Sequence, residues 1–254
     1  MDKTEYRKKV IFDLVSKMNH KSIPDCQIPV YIGDSYGWED DNIHFCWSKP
    51  YGKKGLLFPS WEFIDWESTK KKFNDEYIPW TKRERGPYFI GVDNSDKKSN
   101  IRKIIRDLYP ENFRLLKKDE TYREPPTNLM KYKTVFELPG NTPWSGRSVV
   151  VALSGSSSIR IHHYYPKWDE GPWFQFFEDP TEFDGINLEG NYNNPFPSDK
   201  IPLLKDAIDD EIAKALRRHA TAKSIRERMM KLTTDHMVKY LEYIFTEVGK
   251  RQNL

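Results

Sequence analysis

Thr134-Val135-Phe136-Glu137-Leu138 leads into Gly140-Asn141-Thr142-Pro143-Trp144-Ser145-Gly146-Arg147. Val149-Val150-Val151-Ala152-Leu153 and Ser157-Ser158-Ile159-Arg160-Ile161-His162 follow. The first segment reads as a strand running into a loop of small and turn-forming residues, and the last reads as the next strand. The apolar run Val149 to Leu153 fits either a strand or a buried helix by periodicity alone. A helix beginning near Ser145 would point its free amides back at the glycine-rich loop.

Toward the N-terminus, the block opening near Gly86 repeats this alternation. Pro87 to Ile90 reads as a strand, Ile101 to Leu108 as a helix stopped near Pro110, and Phe113 to Leu116 as another strand. Earlier still, Val10, Ile11, Leu14, Val15 and Met18 form a helical stripe. A turn at Ser22-Ile23-Pro24-Asp25 precedes a short strand from Ile28 to Ile32, which ends in Gly33-Asp34. His44 to Trp47 and Leu56 to Phe58 read as further strands or buried extended segments. Toward the C-terminus, Leu204, Ile208, Ile212 and Leu216 share one helical face, as do Met230, Met237, Leu241 and Ile244. Strands and helices alternating in two blocks predict an α/β chain with a cleft between lobes. One doubly wound sheet without such a cleft is the alternative.

Composition narrows the class. With 37% hydrophobic and 14% aromatic residues, including 8 Trp, the 254-residue chain can build a core and is not globally disordered. The aromatic excess suits core packing, and flat rings also serve carbohydrate sites. Forty-one basic and 38 acidic residues give a formal charge of +3. Lys70-Lys71-Lys72 and Lys97-Lys98 are short runs that read as solvated faces, so no nucleic-acid partner is expected. Two cysteines, Cys26 and Cys46, are too few for a disulfide framework or a four-cysteine zinc site. The polar opening Met1-Asp2-Lys3-Thr4-Glu5 lacks a signal-peptide apolar stretch, and no segment reaches the roughly 20 apolar residues of a membrane span. A cytosolic protein is expected.

Four segments, in order, resemble glycosyltransferase family 90, which includes protein O-glucosyltransferases and fungal capsule-associated xylosyltransferases. They are Ile23-Pro24-Asp25 with Val30-Tyr31-Ile32-Gly33-Asp34; Phe58-Pro59-Ser60-Trp61-Glu62-Phe63; Lys131-Tyr132-Lys133 through Gly140–Arg147 to Ser154-Gly155-Ser156; and the helical tail near Tyr240 to Phe245. The resemblance covers most of the chain from Ile23 onward. It implies a GT-B-like enzyme of two Rossmann-type lobes that uses a UDP-sugar, needs no metal and inverts the anomeric centre. Residues 1–85 would then be an acceptor-side lobe and 86–225 the nucleotide-sugar lobe. Residues 226–254 would be a helix packing back on the first lobe. The Thr-Pro-Trp-Ser-Gly-Arg stretch looks closest to the xylosyltransferase branch, which favours UDP-xylose over UDP-glucose. The lack of a leader resembles the large algal-virus members, for which the location would be the host cytoplasm.

The resemblance makes Asp34 the catalytic base that takes the acceptor hydroxyl's proton during a single in-line displacement. From the residues alone, a turn former in Gly33-Asp34-Ser35 is the favoured reading of Asp34. Gly140, Thr142, Trp144, Ser145, Gly146 and Arg147, with Ser154, Gly155 and Ser156, would cradle the donor diphosphate. Arg147 would make bidentate contacts to phosphate oxygens. The plainer reading is a strand–turn–helix connection with a surface arginine. Tyr36, Pro59, Trp61 and Phe63 would line the sugar pocket, or else plug the space between lobes. The acceptor would be a glycan or monosaccharide hydroxyl.

Two positions depart from the family. Ile90-Gly91 stands where arginine-glycine is usual, so a nucleotide contact is either missing or taken over by Arg102, with Gly91 beside it. The family's histidine-tyrosine stretch is also absent around Phe183-Asp184-Gly185-Ile186. No aspartates are spaced Asp-x-Asp to hold a diphosphate-bound cation, which fits a metal-free enzyme. His162-His163 with Asp169-Glu170 reads as structural, because adjacent strand residues point oppositely. No Gly-x-Ser-x-Gly elbow or Walker loop supports a hydrolase or NTPase. A lapsed transferase that only binds carbohydrate or nucleotide is the alternative function.

Overall fold

The computed structural model describes residues 3–32, 43–47, 55–59, 63–91, 100–115, 125–138, 147–163, 185–188 and 194–252, with the backbone alone at 3, 115, 162, 163 and 187. The chain is mixed α/β, built of helices and small parallel sheets, with no closed barrel among the described residues. The described residues fall into two compact units, one drawn from Met1–Thr69 and Lys231–Leu254, the other from Lys70–Pro166 and Phe176–Met230.

In the first unit, helix α1 (Lys3–Val15) buries Val10 and Leu14 and packs against the C-terminal helix α7 (Thr234–Gln252). Strands β1 (Phe45–Cys46) and β2 (Leu56–Leu57) pair in parallel. The expected strand from Ile28 to Ile32 is reduced to one parallel bridge, Val30 to Phe45, and Arg7 Nη1 donates to Ile32 O at 2.6 Å. Helix α2 (Trp66–Asp75) begins in this unit, where Trp66 Nε1 donates to Leu232 O at 2.8 Å. Tyr240 on α7 donates its hydroxyl to Leu57 O at 2.7 Å.

The second unit is organised by a parallel sheet. Strands β3 (Phe89–Gly91) and β4 (Phe113–Leu115) pair in parallel, as do β5 (Thr134–Glu137), β6 (Ser157–His163) and β7 (Ile186–Leu188) in that order. Tyr88 N donates to Thr134 O at 3.1 Å, and Phe136 N donates to Tyr88 O at 2.9 Å, which sets β3 beside β5. The strands therefore run β4-β3-β5-β6-β7, and the winding reverses direction between β3 and β5.

Helices cover both faces. Phe89, Phe136, Ile159 and Ile161 pack with Ile101 and Ile105 of α3 (Ile101–Leu108) and Leu204 and Ile208 of α5 (Ile201–Ala215). On the other face Val135 packs with Val151 of α4 (Arg147–Ser154) and Leu129 of a 3-10 turn. The run Val149 to Leu153 is thus a helix. Its three valines are poor helix formers, but a parallel crossover from β5 to β6 requires a covering element, and burial overrides propensity.

Arg83 secures the far end of α4. Its Nη2 donates to Ser154 O at 3.0 Å, Nη1 to Ser156 Oγ at 3.2 Å and Nε to Ile78 O at 2.8 Å. The C-terminal stripe divides into α6 (His219–Lys231) and α7, and on α6 the buried methionine is Met229, not Met230. Among the described residues no helix is long and apolar enough to cross a membrane.

Candidate anion-binding site

In a doubly wound parallel sheet, ligands bind outside the carboxyl ends of the strands, where the winding reverses. Here that point lies between β3 and β5. Two helices begin beside it. Helix α3 follows β3 and carries Arg102 in its first turn; helix α4 follows β5 and starts with Arg147. The N-terminal ends of both helix dipoles add positive potential.

Both guanidiniums meet one ring. The Arg147 guanidinium carbon lies 4.3 Å from the Phe89 centroid and that of Arg102 lies 5.5 Å from it. Arg102 is buried. Arg147 keeps part of its surface exposed, but its Nη1 is enclosed. Burial, and then the like charge of Arg102, push Arg147 down to about 9, with partial relief from Glu137 and Tyr88. A guanidinium held this way is still charged at neutral pH.

Gly91 makes the close approach possible. A Cβ there would lie 2.6 Å from Arg147 Nη2 and 3.1 Å from two Phe89 ring carbons, so no other residue fits at the end of β3 without moving one of them. Ile90, where the resembled family has arginine, packs into the apolar face with Val135 and Val151. Arg102 is the second cation beside Phe89.

Glu137, at the end of β5, is the buried acid of this region. Its Oε1 accepts a hydrogen bond from Ser148 Oγ, while Oε2 accepts from Ser158 Oγ at 2.7 Å and from Arg160 Nε at 3.0 Å. Glu137 and Arg160 are register partners on adjacent strands. Sequence reasoning missed Phe89, Glu137, Ser148, Ser158 and Arg160. An acid and a base inside otherwise apolar strands were the visible signal, but the register that pairs them was not.

Of the residues singled out in the sequence, Gly91, Arg102 and Arg147 come together here. Ser154, Gly155 and Ser156 do not, because they form the opposite end of α4. Ser154 Oγ accepts from Ser156 N at 3.0 Å, and Ser156 Oγ donates to Tyr132 O at 2.8 Å. Gly155 takes a left-handed φ of +65, as a helix C-cap does. Pro59 and Phe63 are buried in the first unit, with Phe63 edge-on to Trp66 at 4.7 Å. Asp34, Tyr36, Trp61, Gly140, Thr142, Trp144, Ser145 and Gly146 lie outside the described residues, as do Asp169 and Glu170. Among the described residues no group of three or more His, Cys, Asp or Glu side chains is gathered to hold a metal ion. Compared with known protein families and with curated proteins, the chain matches no family model and no curated sequence.

Proposed function

We propose that the second unit, drawn from Lys70–Pro166 and Phe176–Met230, binds the diphosphate of a nucleotide sugar, and that the chain is an inverting, metal-independent glycosyltransferase. The observation that carries this is the convergence of Arg102 and Arg147 on Phe89, at the reversal point of a parallel sheet. A leaving diphosphate gains negative charge as the glycosidic bond breaks, and two fixed guanidiniums stabilise that charge without reorganising. They take the part that a divalent cation plays in other transferases.

In this reading the two units are the lobes of a GT-B-like enzyme. Asp34 takes the proton of an acceptor hydroxyl, on a glycan or monosaccharide, as its oxygen attacks the anomeric carbon. UDP departs from the opposite face, and an α-linked donor gives a β-linked product. Xylose from UDP-xylose is the favoured transfer, on the Thr142–Arg147 stretch that resembles the xylosyltransferase branch. UDP-glucose is the second donor.

The test is UDP release from UDP-xylose and UDP-glucose, with and without a panel of monosaccharide acceptors. Wild type should turn over, and Asp34→Asn should lose on the order of a thousandfold, the middle of the range that general base catalysis contributes. Equal, near-background release from both proteins rejects the enzyme. The lapsed-transferase reading, favoured by Ile90 in place of arginine, then stands if wild type still binds UDP.

A further inference from the structure

We infer that Glu137 is the positioning residue of this anion seat, fixing the first turn of α4 and with it the Arg147 guanidinium. The inference rests on the diphosphate reading above. Ser148 follows Arg147 directly at the start of α4, and its hydroxyl donates to Glu137 Oε1. The other carboxylate oxygen accepts from Ser158 Oγ at 2.7 Å and Arg160 Nε at 3.0 Å, both on β6. One carboxylate thus ties the helix to two strands at the end where Arg147 emerges. It also joins the residues that flank Gly140–Arg147, the stretch that the family resemblance makes the diphosphate cradle.

A purely structural ion pair would need only the bond between Glu137 and Arg160 across β5 and β6. The Ser148 bond adds nothing to that sheet pairing and reaches the helical turn that carries Arg147. All four side chains of the cluster are buried, so solvent does not loosen the tie. Three donors on two oxygens suit the carboxylate, since a glutamine at 137 has one acceptor oxygen and turns an amide donor toward one side of the cluster. Its charge also offsets the repulsion between Arg147 and Arg102. Glu137 acts through Arg147 and Ser148, without touching the ligand.

A double-mutant cycle in the full chain tests this, with UDP as the probe and affinity read by titration calorimetry. Ser148→Ala leaves the Glu137–Arg160 pair intact and should fold normally. It should weaken UDP binding about tenfold when Arg147 is present and less than about twofold in an Arg147→Met background, because coupled residues are non-additive. Glu137→Gln, if it folds, should weaken binding more than Ser148→Ala. Wild-type affinity in Ser148→Ala, or the same loss in both backgrounds, overturns the inference and leaves the diphosphate reading standing. A wild type that does not bind UDP overturns both.

Discussion

Replacing Arg147 with methionine should leave the unliganded protein at least as stable while weakening its grip on a diphosphate. The magnitude follows from the charge arrangement. Burial and Arg102 hold the Arg147 guanidinium down to about 9. The folded-state value lies below the ordinary one, so unfolding takes up a proton only from about 9 to the usual guanidinium range. Stability rises with pH across that window. Below it both states are charged, and the full penalty acts at neutral pH. At about 1.4 kcal/mol per tenfold, and after discounting for the exposed part of the residue, this is roughly 2–4 kcal/mol. Contact with the Phe89 face returns on the order of 1–2 kcal/mol. The net is a gain of about 1 kcal/mol for Arg147→Met, a rise in melting temperature of roughly 2–4 °C. An arginine with a structural ion-pair role would show the opposite, a loss of about 3–5 kcal/mol. UDP affinity should fall about 10- to 100-fold, the worth of a charge-assisted bidentate contact. Calorimetric melts of both proteins, with and without UDP, read both effects. A variant that melts several degrees lower and keeps its stabilisation by UDP refutes the reasoning.

Gly91→Ala should force Arg147 or the Phe89 ring aside, because the added Cβ falls 2.6 Å from Arg147 Nη2. UDP binding should weaken roughly tenfold while stability changes by about 1–2 kcal/mol, seen by titration and denaturant melts on the same sample. Arg83→Met removes the donors to Ile78 O, Ser154 O and Ser156 Oγ, so urea unfolding should show a loss of about 3 kcal/mol with UDP affinity unchanged. Trp66→Phe leaves Leu232 O without its 2.8 Å donor and should cost about 1–2 kcal/mol in the same measurement.

Local elements were legible where pattern and punctuation agreed. Helix α3 runs from Ile101 to Leu108 as expected, since Ile101 and Ile105 mark one face and Pro110 stops it. Strands β5 and β6 followed from apolar runs bounded by turn residues. Helix α2 was not read, because Lys70-Lys71-Lys72 looks like a solvated face. Trp66 and Phe73, seven residues apart, are its buried stripe. Strand β7 is three residues long and too short to carry a period. At the site, Arg102 and Arg147 were named one by one. What joins them is the parallel register that puts Phe89 and Gly91 between two helix starts, and that is a property of pairing over long sequence separation. The Glu137–Arg160 pair is hidden for the same reason, since each residue looks like an isolated charge until β5 and β6 are aligned.

The two ends of α4 separate cap from cradle, and Gly155→Ala decides between them. Gly155 has φ +65, where an alanine costs on the order of 1–2 kcal/mol. Its Cβ would also lie 2.9 Å from Arg226 Cδ, on a side chain whose guanidinium covers the Tyr77 ring at 4.4 Å and donates to Phe73 O at 3.3 Å. The sum is a destabilisation of roughly 1–3 kcal/mol. Arg147 begins the same helix, about 12 Å away at 1.5 Å per residue, so a cap defect should change UDP affinity less than about twofold. If Ser154-Gly155-Ser156 instead belongs to the diphosphate cradle, as the family resemblance implies, affinity should fall sharply with little change in melting temperature. Melting and UDP titration of the one variant give opposite outcomes for the two roles. Lost affinity at unchanged stability would overturn the placement of the seat at the N-terminal end of α4 alone.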